Sequence, residues 1–179
     1  MTATVLFKVD VAGGTKLREN YSHEEVQECL RLYHDAVERA ALERGAKGLS
    51  FQGDGAVCFF TGEDAIERGI EAGFDLQESV RTLTRYELHL RIAIGVDDLS
   101  GEKDFGKTVS HQFNLAGHAE KACPVDSVAI TEEVYLALER RPDLAVKFEY
   151  HGTTIADKAA VFVAPRGRRR KADLFVPVS

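Results

Sequence analysis

Residues 47–61, KGLSFQGDGAVCFFT, constrain the fold more than any other segment, because two strand-length runs are separated only by Gly53-Asp54-Gly55. Both glycines tolerate positive φ, so the segment reads as a tight hairpin with Asp54 at its turn. A long amphipathic helix is predicted on each side. Before the hairpin, Ser22-His23-Glu24-Glu25 fits a capping box, in which Ser22 accepts from a free helix-start amide and Glu25 reaches back. Val26, Leu30, Tyr33, Val37 and Ala41 then recur at steps of three and four, which turns one face inward and leaves Arg31, Asp35, Glu38 and Arg39 to water. This helix is expected to stop near Gly45. After the hairpin, Thr61 and Asp64 open a second helix whose apolar stripe is Ile66, Ile70, Gly73, Leu76, Val80 and Leu83, ending near Arg85.

Two further runs complete a β-α-β-β-α-β order. Residues 4–11, TVLFKVDV, are β-branched and apolar except for Lys8 and Asp10, and residues 88–96, LHLRIAIGV, turn continuously apolar. Beyond them the pattern predicts a helix over 113–122, a strand over 127–131, a helix over 132–140 before Pro142, and closing strands over 144–150 and 159–164. The expected class is α+β, a ferredoxin-like βαββαβ core with a C-terminal αβ extension. Residues 1–165 would form one domain, and 166–179 a basic tail, RGRRRK followed by a short apolar end.

Composition narrows the function. A net charge of -6 excludes a general nucleic-acid binder, which needs a surplus of Lys and Arg on one face. Cys29, Cys58 and Cys123 lack CxxC spacing, pointing to neither a disulfide framework nor a zinc ribbon and to a reducing, cytoplasmic setting. His111, His118 and His151 lack the spacing of a preformed zinc site. No apolar run reaches the roughly 20 residues of a membrane span, and the first ten residues do not have the pattern of a signal peptide.

Two carboxylates stand where packing alone would not put them. Asp10 lies near the end of an apolar strand and Asp54 in the hairpin turn. In a βαββ unit the first strand lies mid-sheet, so its end approaches a neighbouring hairpin. Two aspartates brought together repel unless a cation shares them, and Mg²⁺, held by one or two carboxylates plus substrate phosphates, suits that need. Taken singly, Asp54 is equally a turn residue and Asp10 a strand-end or helix-cap residue.

Together the two segments resemble the catalytic domain of the class III nucleotide cyclases, the adenylate and guanylate cyclase family. Phe7-Lys8-Val9-Asp10-Val11-Ala12-Gly13-Gly14-Thr15 is similar to the family's F-x-D-I-x-G-F-T strand and Gly53-Asp54-Gly55 to its G-D-[AG] hairpin, with the usual separation of 44 between the aspartates. Leu90-Arg91-Ile92-Ala93-Ile94-Gly95 resembles the R-[IV]-G-[IV]-H strand, and Phe113-Asn114-Leu115-Ala116-Gly117-His118 the V-N-x-A-[AS]-R helix. The resemblance runs from about Val5 to Val163. It implies that Asp10 and Asp54 hold two Mg²⁺ or Mn²⁺ ions. A ribose 3′-hydroxyl then attacks the α-phosphorus of a nucleoside triphosphate, ATP by default, releasing pyrophosphate and a 3′,5′-cyclic nucleotide. It further implies phosphate contacts from Gly13, Gly14, Thr15, Arg91 and Lys158, and a ribose or transition-state role for Asn114. The sites would form between two copies, metal aspartates from one and Asn114 and residue 118 from the other.

The departures fall on recognition and charge stabilisation. Ser50 stands where the family has its purine-reading Lys, and His118 where it has a transition-state Arg. Imidazole offers fewer phosphate donors than guanidinium. Asp104, before Phe105-Gly106, matches the second base-reading position, although extra residues around 109–112 separate it from Asn114. Intact aspartates favour a cyclase; Ser50 and His118 favour a cyclase-like domain that binds nucleotide or a protein partner without turnover.

Overall fold

A computed structural model describes residues 4–83, 85–97, 111–156 and 158–165. Asp104 and the tail at 166–179 lie outside them. The elements run β1 (Thr4–Val11), α1 (Gly14–Asn20), α2 (His23–Glu43), β2 (Gly48–Gln52), β3 (Gly55–Thr61), α3 (Ala65–Arg81), β4 (Leu90–Asp97), α4 (His111–Ala122), β5 (Ser127–Thr131), α5 (Glu132–Ala137), a 3₁₀ turn (Leu138–Arg140), α6 (Pro142–Ala145), β6 (Glu149–Thr153) and β7 (Ala160–Pro165). They form a mixed α+β structure around one seven-stranded sheet of order β2-β3-β1-β4-β5-β7-β6. The first four strands have the predicted ferredoxin-like arrangement with β1 inside, antiparallel to β3 and β4. The extension joins through β5, which runs parallel to β4 across the α4 crossover.

The period of two in β1 sorts its side chains between faces. Val5, Phe7, Val9 and Val11 enter the main core with Val26, Tyr33 and Val37 of α2 and Ile70, Leu76 and Val80 of α3. Each such side chain, fully buried, contributes roughly 1.5–3 kcal/mol. Leu6, Lys8 and Asp10 point to the opposite face, part of which α4 covers. That contact is close because it is made by small residues. Ala93, Ala119, Cys123 and Ala129 share a cluster there, and a Cβ on Gly95 would stand 3.2 Å from that of Ala116.

Helix boundaries follow local chemistry. The capping box forms as expected, with the Glu25 amide donating to Ser22 Oγ at 3.3 Å and the Ser22 amide to Glu25 Oε2 at 3.0 Å. Arg68 of α3 donates to the carbonyls of Arg44 and Gly45 at 3.0 and 3.1 Å and of Thr61 at 2.6 Å, tying the α2 terminus to the end of β3.

Three sequence expectations need correction. The Ala12-Gly13-Gly14 stretch, expected to be flexible, leads instead into a short helix, α1, that Gly13 enters with φ 76°. The helix expected to reach Arg85 ends at Arg81, where the Thr82 hydroxyl caps the Ser79 carbonyl at 2.7 Å. Of residues 144–150, expected as a strand, only Glu149 and Tyr150 are in one. Pro142, favourable at a helix start, opens α6 and buries Leu144, and the strand begins only at Glu149. No helix among the described residues is long and apolar enough to cross a membrane.

Candidate active site

The ladder brings the predicted metal residues together. Asp10 is the cross-strand partner of Gly55 on one side and of Arg91 on the other. The Val11 amide donates to the Asp54 carbonyl at 3.3 Å, which fixes the hairpin turn against the end of β1. A Cβ on Gly55 would lie 3.5 Å from Asp10 Oδ1, and one on Gly14 would collide with Asp54 Oδ2. Both carboxylates therefore sit against glycine backbone, at positions that a side chain on Gly14 or Gly55 would crowd.

Burial pushes the Asp10 carboxyl above the ordinary carboxylate range, and the Asp54 charge pushes it further. Arg91, the Val11 amide and Lys8 act in the opposite direction. Asp10 and Asp54 thus form a mutually repelling pair of hard oxygen donors only partly compensated by protein cations. That donor set fits Mg²⁺ or Mn²⁺. Among the described residues no three His, Cys, Asp or Glu side chains converge; a two-carboxylate site of this kind is one that such ions commonly complete with substrate phosphates and water. Cysteine chemistry does not compete, since burial raises the Cys29 and Cys123 thiols to about 11 and that of Cys58 to about 12.

Arg91 lies directly beside Asp10 across the strands. Gly13, Gly14 and the exposed Thr15 follow at the start of α1. The segment is tied by the Ala12 amide to the His89 carbonyl at 2.8 Å. Behind it lies a cavity of 280 Å³ lined in part by Ala12, Gly13, Lys16, Asn20, Glu87 and His89. Ser50 pairs with Val57, which pairs with Lys8, so alternation puts Ser50 on the carboxylate face of β2. Phe51 turns the other way and packs on His34 of α2, with ring centroids 4.2 Å apart.

The remaining predicted residues belong to a different surface. On α4, Ala116 and Ala119 are buried toward the sheet, as is Cys123 just beyond it, whereas Asn114 is exposed and His118, one turn on, is half-buried. His118 borders a mostly apolar pocket with Lys121, Ala122, Ile155 and Ala156. Ile155 is 92% exposed. Lys158 is on the same β6–β7 turn, with φ 56° and its amide donating to the Thr154 carbonyl at 3.1 Å. The residues of α4 turned toward β1 are instead Gly117 and Glu120. Glu120 escaped the sequence reading, although a helical projection of Ala116, Ala119, Glu120 and Cys123 places this carboxylate on an apolar face.

Neither a protein-family model nor a curated protein sequence matches the chain. Solved structures do. An adenylyl cyclase, CyaB from P. aeruginosa, superposes with a TM-score of 0.73 at 17% identity, covering 94% of this chain and 96% of that one. The guanylate cyclase domain of RhGC from Catenaria anguillulae, in complex with GTP, gives 0.73 at 16% over 93% of this chain and 100% of that one. The guanylyl cyclase Cya2 gives 0.72 at 20%, with 96% of each chain covered. The chain therefore has the fold of class III adenylyl and guanylyl cyclase catalytic domains.

Proposed function

We propose that the chain is a nucleotide cyclase that converts a nucleoside triphosphate to a 3′,5′-cyclic nucleotide and pyrophosphate, in a cytoplasmic homodimer with two sites. The observation that carries this reading is the juxtaposition of Asp10, Asp54 and Arg91 at the end of the central strand. Two bound Mg²⁺ or Mn²⁺ ions would supply activation of the ribose hydroxyl and charge for the triphosphate. The protein's own part is to hold the two carboxylates close together at the end of β1 and the adjoining hairpin turn, and to offer the Arg91 fork to a phosphate oxygen. Gly13, Gly14 and Thr15 allow the phosphates a close backbone approach. Asn114 and His118, on the outward side of α4, serve the ribose and the transition state of a second copy, with Lys158 on the neighbouring turn as a phosphate contact. Ser50 and Asp104 occupy the base-reading positions. ATP is the default substrate, and the short Ser50 side chain leaves GTP or a pyrimidine triphosphate open.

Ser50 and His118 also support a second reading, a cyclase-like domain that binds nucleotide or a protein partner in signalling without turnover. Incubation with each of the four nucleoside triphosphates and Mn²⁺, followed by mass spectrometry, separates the two. A cyclic product from any of them, lost in Asp54→Ala, is the expected result. Thermal stabilisation by nucleotide with no product from any triphosphate would replace the first reading by the second.

A further inference from the structure

The face of β1 that carries Asp10 also carries a lysine, and α4 is shaped around it. Lys8 lies two residues before Asp10 on the same side of the strand. A Cβ on Gly117 would stand 2.9 Å from Lys8 Nζ, so the ammonium occupies a notch in α4 that any larger residue would fill. One turn further along α4, Glu120 is only 8% exposed. An acidic side chain is rarely so buried without a cation nearby. Burial and the Asp10 charge push the Glu120 carboxyl up, and three cations oppose them, Lys8 most, then Arg91 and Lys121. At Asp10 the order is reversed, with Arg91 ahead of Lys8. The geometry sorts the cations in the same way: Arg91 is the cross-strand neighbour of Asp10, whereas the Lys8 ammonium stands at the Gly117 notch, one turn of α4 from Glu120.

The sorting matters because an ammonium beside Asp10 competes with a divalent ion for the same oxygens. We propose that Glu120 and Lys8 are a positioning pair for the metal site: Glu120 draws the Lys8 ammonium into the Gly117 notch, leaving the Asp10 carboxylate to the cation. This rests on the reading of Asp10 and Asp54 as metal ligands. Neither Glu120 nor Lys8 ligates the ion; each acts through Asp10. The pair also links α4, which bears Asn114 and His118, to the strand that bears Asp10.

The test is a titration of the full chain with Mn²⁺ alone, followed by the electron paramagnetic resonance signal of free Mn²⁺, with circular dichroism melts alongside. Glu120→Gln keeps the shape and removes the charge, and should weaken Mn²⁺ binding about tenfold, the low end of what groups behind a metal ligand contribute. Lys8→Met should not weaken it. In the Lys8→Met background, Glu120→Gln should change affinity by no more than about twofold, because the charge that Glu120 restrains is gone. Gly117→Ala guards against a trivial folding effect. Alanine favours the helix over glycine and meets only the flexible end of Lys8, so Tm should hold or rise while Mn²⁺ binding weakens. Equal weakening by Glu120→Gln in both backgrounds would overturn the pair, showing Glu120 to act as a general negative charge. Unchanged Mn²⁺ affinity in Gly117→Ala would overturn it too. Failure of the unsubstituted protein to bind Mn²⁺ would instead overturn the metal reading, and the pair's role with it.

Discussion

The candidate site has two halves built on opposite principles. Asp10, Asp54 and Arg91 are set by main-chain pairing within β1, β3 and β4, so their spacing is fixed by the ladder. Asn114, His118 and Lys158 lie on an exposed helix side and an exposed turn, beside a pocket edged by the outstanding Ile155. One half is pre-organised within the chain, whereas the other is presented outward. Under the proposed homodimer, each half would serve the complement on the other copy, giving two equivalent sites.

The largest expected effect breaks this division directly. Asp54→Ala and Asn114→Ala should each lower turnover by about 10³-fold or more, as loss of a metal ligand or of a donor to developing charge does. Mixed together, the two inactive proteins should recover up to about a quarter of normal activity, since half the dimers would then carry one intact site of two. Mixtures that stay inactive, with dimers verified by sedimentation, would place both halves in a single chain.

A second prediction sharpens what pre-organisation costs. Burial and Asp54 hold the Asp10 carboxyl above its ordinary range, so the folded chain favours its protonated form more than the unfolded chain does. The associated stability is present below the ordinary carboxylate range and is lost as pH rises through the raised folded value. Asp10→Asn should therefore raise Tm at pH 8, with the gain shrinking toward pH 4, while abolishing turnover. A melt at the two pH values checks the sign. Stabilisation bought at the expense of activity is what a functional carboxylate gives, and a strand-end residue with a structural role would give the reverse.

Legibility in the sequence divided along related lines. The capped α2, the Gly-Asp-Gly hairpin and the apolar stripe of α3 each carry a local signal stronger than their context, and each formed within a few residues of the expected limits. The α1 helix carries none: seven residues with no side-chain cap, begun by a left-handed Gly13. Strand β6, EYHGT, is mostly exposed and has neither alternation nor an apolar run, while Leu144 looked like strand because α6 buries it. Asp10 and Asp54 were found because they interrupt strong local patterns. Glu120 was not, because only the packing of α4 on β1, more than 100 residues apart in the chain, brings it near the charges of that strand.

The smallest effects concern the two departures from the cyclase pattern, and they test the halves separately. His118 lies on the outward half, half-buried beside a pocket, so a longer side chain there costs no core packing. His118→Arg replaces one or two ring donors by a fixed fork of five, and should raise kcat about tenfold with little change in KM. That asymmetry follows because the added donors meet charge that develops only in the transition state. Ser50 lies on the inward half, in one cross-strand row with Val57 and Lys8. Ser50→Lys adds a second ammonium to that face and a donor for a base carbonyl or ring nitrogen. It should leave kcat nearly unchanged and shift the ratio of kcat/KM among the four triphosphates by about tenfold, the worth of one hydrogen bond to a charged group. A kcat effect from residue 50, or a base-preference effect from residue 118, would mean that the roles of the two halves had been exchanged.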